Sequence, residues 1–194
     1  VGSEMRIRDR LKVLDCSLVS DGGAAVVITR KDRAKDGPHK PVTMLGYGEG
    51  HSYEHISQAK DLTTSAAVRS GRAAYAEAGL TPDDIDLLQL YDCFTPALLM
   101  QIEDLGFCGK GEGGAWLASG ISRPGGSKPM NTHGGMLSYC HPGNPGAMFG
   151  LTEAITQMRG DAGERQLPKM HTALCHAQGG IMSSHATIIL GVED

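Results

Sequence analysis

Short apolar runs alternate with helix-forming segments along this chain of 194 residues. Five runs rich in apolar and β-branched residues predict buried strands, and they span residues 23–29, 41–48, 85–91, 172–174 and 181–190. The segments with helical character span residues 31–35, 65–78, 96–105 and 147–159. The segment 65–78 begins at a serine and is followed by Gly79, a common helix stop. Strands and helices that alternate in this way predict an α/β fold.

The overall composition argues against several classes of protein. The formal net charge is −4, so the chain lacks the excess of basic residues typical of nucleic-acid-binding proteins. No apolar run approaches the roughly 18 residues that a membrane-spanning helix needs. Residues 1–6 lack the charged and apolar regions of a signal peptide, and the five cysteines show no close paired spacing. Reduced thiols and a cytoplasmic location are therefore expected.

Residues 131–146 place reactive side chains in a run dense in glycine and proline, namely Asn-Thr-His-Gly-Gly-Met-Leu-Ser-Tyr-Cys-His-Pro-Gly-Asn-Pro-Gly. Such a backbone is unsuited to regular packing, and reactive groups on loops of this kind usually face a pocket. Its last amides precede the predicted helix 147–159, where they could meet an anion or a developing oxyanion. Residues 106–129 are also rich in glycine and proline and predict a second long loop.

Four segments resemble the C-terminal half of a thiolase. They are residues 20–27, Ser-Asp-Gly-Gly-Ala-Ala-Val-Val; residues 78–94; the glycine-rich histidine loop 134–142; and residues 174–180, Leu-Cys-His-Ala-Gln-Gly-Gly. The match covers about residues 15–192 in the family's order. It is nearest to the sterol-carrier-protein type of thiolase and to the thiolase-like aldolases of steroid side-chain breakdown, which residues 103–114 also resemble.

The resemblance implies a thiolase-like C-terminal domain over residues 1–194, with a five-stranded mixed sheet and helices on both faces. The N-terminal half of a thiolase, which carries the acyl-accepting cysteine, is outside this chain. The chain could be a fragment or one subunit of a split enzyme, and the sequence leaves both open. The resemblance also implies a homodimer of the complete enzyme and a small zinc-ribbon/OB-fold partner. A coenzyme A thioester would be the substrate, with no bound cofactor and no metal.

Three candidate catalytic residues follow from the resemblance. His141 matches the family histidine that activates the nucleophilic cysteine, a task that suits an imidazole because its ordinary pKa is near neutrality. Tyr91 stands where most thiolases have an asparagine that holds a water in an oxyanion hole. Tyr139 is a second phenol, and the steroid-type aldolases resemble this chain in having tyrosines at both places. One phenol would then take the β-hydroxyl proton and the other would serve the enolate. Structural roles for Tyr91 and His141 remain as alternatives.

The last active-site loop of thiolases offers two candidates here, Cys175 and His176. Thiolases need a second cysteine in this loop, but counting back from Gly179 and Gly180 places His176 at that position. Adjacent side chains on a strand point to opposite faces, so the two do not form a dyad by adjacency alone. The residues predicted to bind substrate are Asn131, His133, Gly143, Gly179 and Gly180.

Two classes of function follow from these residues. The first is an enzyme that makes or breaks a carbon–carbon bond next to a CoA thioester. Within this class, Tyr91 and Tyr139 favour retro-aldol cleavage of a β-hydroxyacyl-CoA over thiolysis of a β-ketoacyl-CoA. The second class is a non-catalytic subunit that binds an acyl chain or lipid and shapes the site of another chain.

Overall fold

The computed structural model describes residues 11–168 and 170–192, which excludes the residues on which the signal-peptide argument rests. The helices are α1 (Lys31–Ala34), α2 (Ala67–Ala78), α3 (Thr95–Asp104), α4 (Gly113–Ala118), α5 (Gly135–Ser138) and α6 (Gly146–Arg159). The strands are β1 (Thr43–His51), β2 (Leu87–Gln89), β3 (Thr172–Gly179) and β4 (Ser184–Gly191). No helix among these residues is long and apolar enough to cross a membrane.

The four strands form one mixed sheet in the order β1-β4-β3-β2. Strand β4 pairs antiparallel with β1 and β3, whereas β2 pairs parallel with β3. Helices cover both faces of the sheet. Since successive side chains of a strand point to opposite faces, each strand contributes to the packing on both sides. Leu174 on β3 packs into a cluster with residues of α2 and α3, and its neighbour Cys175 packs on the other face against α6. This architecture confirms the predicted α/β fold with a mixed sheet.

Helix α2 lies directly on the edge strand β1, because that strand turns only glycines toward it. A Cβ atom at Gly46, Gly48 or Gly50 would lie well inside van der Waals distance of the carbonyl oxygens of residues 74, 70 and 66 respectively. The glycines follow the two-residue period of a strand, and the carbonyls follow the four-residue spacing of one helix face. The matched spacings let the helix backbone approach the strand closely along its length.

The prediction of five strands was wrong, because residues 23–29 form no strand. Val27 and Ile28 in this run are 96% and 89% exposed. An apolar β-branched run becomes a strand only where a neighbouring strand satisfies its backbone, and no such neighbour lies beside residues 23–29 within the described part of the chain. The run 172–174 extends to Gly179, and the run 181–190 begins only at Ser184. Ile181 and Met182 take up positive φ angles of 54° and 64° in the turn before that strand.

The helix predictions hold more closely than the strand predictions. Helices α1, α2, α3 and α6 each begin and end within two residues of the predicted bounds. Helix α2 stops at Gly79, which adopts the left-handed conformation expected of a glycine stop, with φ of 67°. Helices α4 and α5 were missed because they lie inside the glycine-rich runs 106–129 and 131–146 and begin with glycine, a poor helix former.

Candidate active site

Two of the predicted residues meet at the carboxyl end of β2. Tyr91 follows this strand, and the Tyr91 hydroxyl lies 2.8 Å from Nε2 of His141, although 50 residues separate them in sequence. The two rings pack edge to face, with centroids 5.6 Å apart and an interplanar angle of 82°. The glycine-rich loop 131–146 therefore carries His141 to the end of the sheet, where its ring and the phenol share a hydrogen bond.

A segment near the start of the described chain holds His141 from the other side. Ser17 Oγ lies 3.0 Å from Nδ1 of His141, so both ring nitrogens have a protein neighbour. The backbone N–H of His141 donates to Ser20 Oγ at 2.7 Å. A parallel bridge between Val19 and His141 aligns the two stretches of backbone. Sequence reasoning did not identify Ser17 or Ser20 as site residues: Ser17 stands outside the four family segments, and Ser20 begins one of them but was given no role there.

Electrostatics indicate the direction of the hydrogen bonds around His141. Burial, with a smaller contribution from nearby Cys93, raises the pKa of Tyr91 to about 12, so its phenol is neutral at pH 7. A neutral phenol donates readily to an imidazole nitrogen. In that arrangement Nε2 of His141 accepts from Tyr91, and its Nδ1–H donates to Ser17 Oγ. This tautomer is assigned from the hydrogen-bond network.

Two polar side chains anchor the loop to the end of β2. The side-chain amide of Asn131 accepts from the Leu90 N–H at 2.8 Å and donates to the Leu90 carbonyl at 3.0 Å. The Asp92 carboxylate accepts from the Met136 N–H at 2.7 Å. Burial raises the pKa of Asp92, while the hydrogen bonds that it accepts act in the opposite direction. The Asn131 amide thus bonds the protein backbone, although it was predicted to contact substrate.

Tyr139 lies in a separate cluster of side chains. Its ring is 61% exposed and packs edge-on against His133 and Phe149, with centroid distances of 5.8 and 6.0 Å. These three rings line a cavity of about 280 Å³, together with Thr152, Glu153, Thr156 and Arg165. We call this space the aromatic cavity. The structure thus places one predicted tyrosine with His141 and the other with His133.

The wall of the aromatic cavity contains an ion pair between a half-exposed arginine and a buried glutamate. Arg165 donates to the Glu153 carboxylate at 3.0 Å, and this carboxylate is buried. Burial disfavours its charge, but the hydrogen bonds that it accepts, the largest from Arg165, outweigh burial and lower its pKa. Burial also lowers the pKa of His133, whose Nδ1 is buried and has no hydrogen-bond partner among the described residues. His133 is therefore neutral, with a free polar atom in the interior.

Comparison with known proteins identifies the family. Residues 48–192 match the family described as thiolase C-terminal domain-like. The chain belongs to this thiolase family. It is 36% identical over 175 residues to an acetyl-CoA acetyltransferase of Methanothermobacter thermautotrophicus, covering 90% of this chain and 46% of that protein. It is 39% identical over 196 residues to a steroid side-chain-cleaving aldolase of Thermomonospora curvata, covering 96% and 48% respectively.

A solved structure shares the fold of this thiolase-like domain over nearly its whole length. The structure of the Ltp2-ChsH2(DUF35) aldolase superposes with a TM-score of 0.86 and 36% sequence identity, covering 96% of this chain and 49% of that chain. The chain therefore spans about half the length of the curated relatives and of the solved chain that it matches.

Cys175 and His176, which were predicted to lie in the last active-site loop, lie within strand β3, buried on its opposite faces. Burial raises the pKa of the Cys175 thiol to about 12. Burial, with a smaller contribution from His185, lowers the pKa of His176 to about 3. Nδ1 of His176 lies 2.9 Å from Thr187 Oγ1, and its Nε2 lies 3.1 Å from Nδ1 of His185. At neutral pH Cys175 is therefore a thiol, and His176 is an uncharged imidazole whose two nitrogens both have protein partners.

The glycines predicted to bind substrate lie in exposed turns of the thiolase-like domain. Gly143 and Gly180 have φ angles of 70° and 56°, which favour glycine, and Gly179 ends β3. A side chain at Gly143 or Gly179 would meet open space. Their role in binding stays a prediction. Within the described residues, no group of three or more His, Cys, Asp or Glu side chains is arranged to hold a metal ion.

Proposed function

We propose that this domain is the C-terminal half of an enzyme that cleaves a β-hydroxyacyl-CoA by a retro-aldol reaction. The observation that supports the proposal most directly is the 2.8 Å hydrogen bond between the Tyr91 hydroxyl and Nε2 of His141. A phenol that can pass its own proton to a neighbouring imidazole can accept a proton from a substrate hydroxyl. The similarity to a steroid side-chain-cleaving aldolase points to the same chemistry.

The proposed reaction begins with the substrate hydroxyl. The hydroxyl proton moves to the Tyr91 oxygen while the phenol proton moves to Nε2 of His141, and the Nδ1–H of the resulting imidazolium is held by Ser17. The hydroxyl oxygen forms a carbonyl, the Cα–Cβ bond breaks, and its electron pair forms the thioester enolate. His141 then returns its proton through Tyr91 to Cα. The products are a ketone or aldehyde and a shorter acyl-CoA, so no free CoA, water or oxidant is consumed.

Tyr139 would serve the enolate in this scheme. Its phenol is exposed beside the aromatic cavity, and an O–H donor can stabilise the negative charge that develops on a thioester oxygen. The exposed turn glycines Gly143, Gly179 and Gly180 are proposed to admit the CoA portion, because a residue without a side chain lets a ligand approach the backbone.

A second candidate function is thiolysis of a β-ketoacyl-CoA. The 36% identity to an acetyl-CoA acetyltransferase favours it. Thiolysis needs an acyl-accepting cysteine, which would lie on the N-terminal half, and free CoA to release the acyl group. The two reactions therefore differ in their requirement for free CoA.

The deciding experiment incubates the assembled enzyme, meaning this chain with its N-terminal half, with a β-hydroxyacyl-CoA and a β-ketoacyl-CoA, each with and without free CoA. We expect cleavage of the β-hydroxyacyl-CoA without added CoA. Tyr91→Phe should lower turnover about 100-fold or more, because it removes only the hydroxyl of a general acid–base group. The matched control is Tyr75→Phe, since the Tyr75 hydroxyl also forms a part-buried hydrogen bond, which it donates to the Leu105 carbonyl at 3.2 Å. Cleavage of the β-keto substrate alone, with free CoA required and Tyr91→Phe fully active, would establish thiolysis instead.

The proposal requires a partner for this domain. The relatives are about twice as long as the chain, and several apolar side chains near its start are exposed, among them Leu14, Leu18, Val19, Val27 and Ile28. We propose that the N-terminal half covers this surface, and that the complete cytoplasmic enzyme is a homodimer with a small zinc-ribbon/OB-fold partner. The chain alone should self-associate in light scattering and bind a hydrophobic dye. A monodisperse monomer that binds little dye would contradict the partner proposal.

A further inference from the structure

The hydrogen bonding of strand β2 continues past its last residue through two side-chain amides. Asn131 bonds both backbone groups of Leu90. Gln101 does the same for the next residue: its Oε1 accepts from the Tyr91 N–H at 3.0 Å, and its Nε2 donates to the Tyr91 carbonyl at 2.8 Å. The backbone of Tyr91 is therefore held at both polar groups by one side chain.

Gln101 is itself held firmly. It lies on α3 and is only 1% exposed, and α3 packs into the core through Leu98 and Ile102. Its Nε2 also lies 3.3 Å from Oε1 of Gln178 on β3, so the amide links the helix to β3 and to the segment that follows β2. A buried amide is costly unless its polar atoms are paired, and the pairs that satisfy this one include both backbone groups of Tyr91.

We infer that Gln101 is a positioning residue for Tyr91, which fixes the phenol at hydrogen-bond distance from His141. The inference rests on the proposed function, in which Tyr91 exchanges a proton with substrate. The direction of a side chain follows from the backbone that carries it, and a reacting group displaced by about 1 Å can cost about 100-fold in rate. The amide of Gln101 thus acts on the reaction through Tyr91, without contacting substrate.

The test compares Gln101→Met with Gln157→Met in the assembled enzyme. Gln157 is the matched control because it is also a buried glutamine on a long helix, 2% exposed, and clamps backbone elsewhere. Its Nε2 donates to the Arg165 carbonyl at 2.9 Å and to the Glu153 carboxylate at 3.0 Å, and its Oε1 accepts from the Leu167 N–H at 3.0 Å. None of these groups contacts Tyr91 or His141 in a hydrogen bond named above. Both substitutions keep the length of the side chain and remove its amide, so both should lower the melting temperature.

The activity of the two variants should differ. We expect Gln101→Met to lower kcat by about 10- to 100-fold with a smaller change in KM. In a Tyr91→Phe background, Gln101→Met should cause little further loss, because the phenol that it positions is already gone. Gln157→Met should have the same effect with and without the Tyr91 hydroxyl, as expected for independent sites. Gln101→Glu should be impaired while its carboxylate is charged, since a carboxylate offers acceptors only. Its turnover should rise as the pH falls, because a neutral carboxyl again offers one donor and one acceptor.

A spectroscopic readout separates this inference from the proposed function. Nitrogen-15 chemical shifts of the His141 ring report its tautomer, which Gln101→Met and Tyr91→Phe should both change and Gln157→Met should not. If Gln101→Met behaves like Gln157→Met in kcat, in the double mutant and in the His141 spectrum, Gln101 is a structural residue and the inference is wrong. If Tyr91→Phe is fully active, the proposed function fails, and the His141 spectrum alone decides whether Gln101 positions Tyr91.

Discussion

Ser17 Oγ lies 3.0 Å from Nδ1 of His141, across the imidazole from the nitrogen that faces Tyr91. A histidine bonded at one nitrogen only can rotate or change tautomer, whereas one bonded at both is held in a single orientation. Ser17 accepts from Nδ1–H in the assigned tautomer, which leaves Nε2 free of a proton and able to take the one that Tyr91 donates. The serine therefore prepares His141 for its proposed role.

Ser17→Ala should lower kcat of the assembled enzyme by about 2- to 10-fold, the effect of losing one hydrogen bond worth about 0.5–1.5 kcal/mol. The change acts on turnover because the imidazolium formed during reaction loses its acceptor. Ser57→Ala is the matched control, since Ser57 Oγ also lies 3.0 Å from a histidine Nδ1, that of His55, but on the surface. Equal turnover for the two variants would show that Ser17 plays no part in the reaction.

Sequence reasoning singled out Tyr91 and His141 because each stands at a recognisable position in a family segment, and the structure brings the two side chains together. Sequence reasoning could not find Ser17 or Gln101, because their contacts are decided by the fold. Ser17 meets His141 from 124 residues away, and the pairing of Gln101 with Tyr91 depends on how α3 docks on the sheet. No spacing rule in the sequence indicates either contact.

The strand error has a different physical origin. Local composition indicates what a segment can form, but a strand also needs a neighbour to pair with. The runs 41–48 and 85–91 each contain a strand, because another strand lies beside each of them in the sheet. Residues 23–29 have the same apolar character but no neighbouring strand among the described residues, and Val27 and Ile28 remain exposed. The helices were predicted more closely because an α-helix bonds its own backbone and needs no partner strand.

The turn at Gly135 should be the least tolerant position in the histidine loop. Gly135 has φ of 64°, and a Cβ there would collide with the Asp92 carboxylate. Gly143 lies in the same glycine-rich run, residues 131–146, and has φ of 70° but open space around it. Gly143→Ala therefore measures the backbone strain alone, about 1–2 kcal/mol. Gly135→Ala adds overpacking and should cost about 2–5 kcal/mol in total. Urea unfolding of both variants measures the difference, and equal losses would mean that the Asp92 contact is easily relieved.

Cys175 should be chemically inert in the folded chain. Its thiol is buried with a pKa of about 12, and the thiolate is the reactive form. Cys16 is exposed and serves as the internal comparison. With iodoacetamide at pH 8, peptide mass spectrometry should show Cys16 alkylated rapidly and Cys175 only after unfolding. If Cys175 were labelled as fast as Cys16, Cys175 would again be a candidate for the second cysteine of thiolysis.

His176 should make the stability of the fold depend on pH. Burial lowers its pKa from the ordinary 6.5 to about 3, so between these values the unfolded chain binds a proton that the folded chain does not. The unfolded state therefore gains stability as the pH falls through this window, and the free energy of unfolding decreases. One histidine contributes a slope of up to about 1.4 kcal/mol per pH unit, or about 2–3 kcal/mol between pH 7 and 4.5.

Replacing the ring isolates this contribution from that of other groups. His176→Gln cannot titrate, so its unfolding free energy should fall less steeply over the same pH range than that of the unchanged chain. Some slope should remain, because burial also lowers the pKa of the neighbouring His185. His55→Gln is the control for the substitution itself, since His55 is an exposed histidine. Urea unfolding at pH 7, 6, 5 and 4.5 measures all three proteins. An identical slope with and without the His176 ring would mean that folding does not lower the pKa of this histidine, and His176 would then again be a candidate for acid–base catalysis.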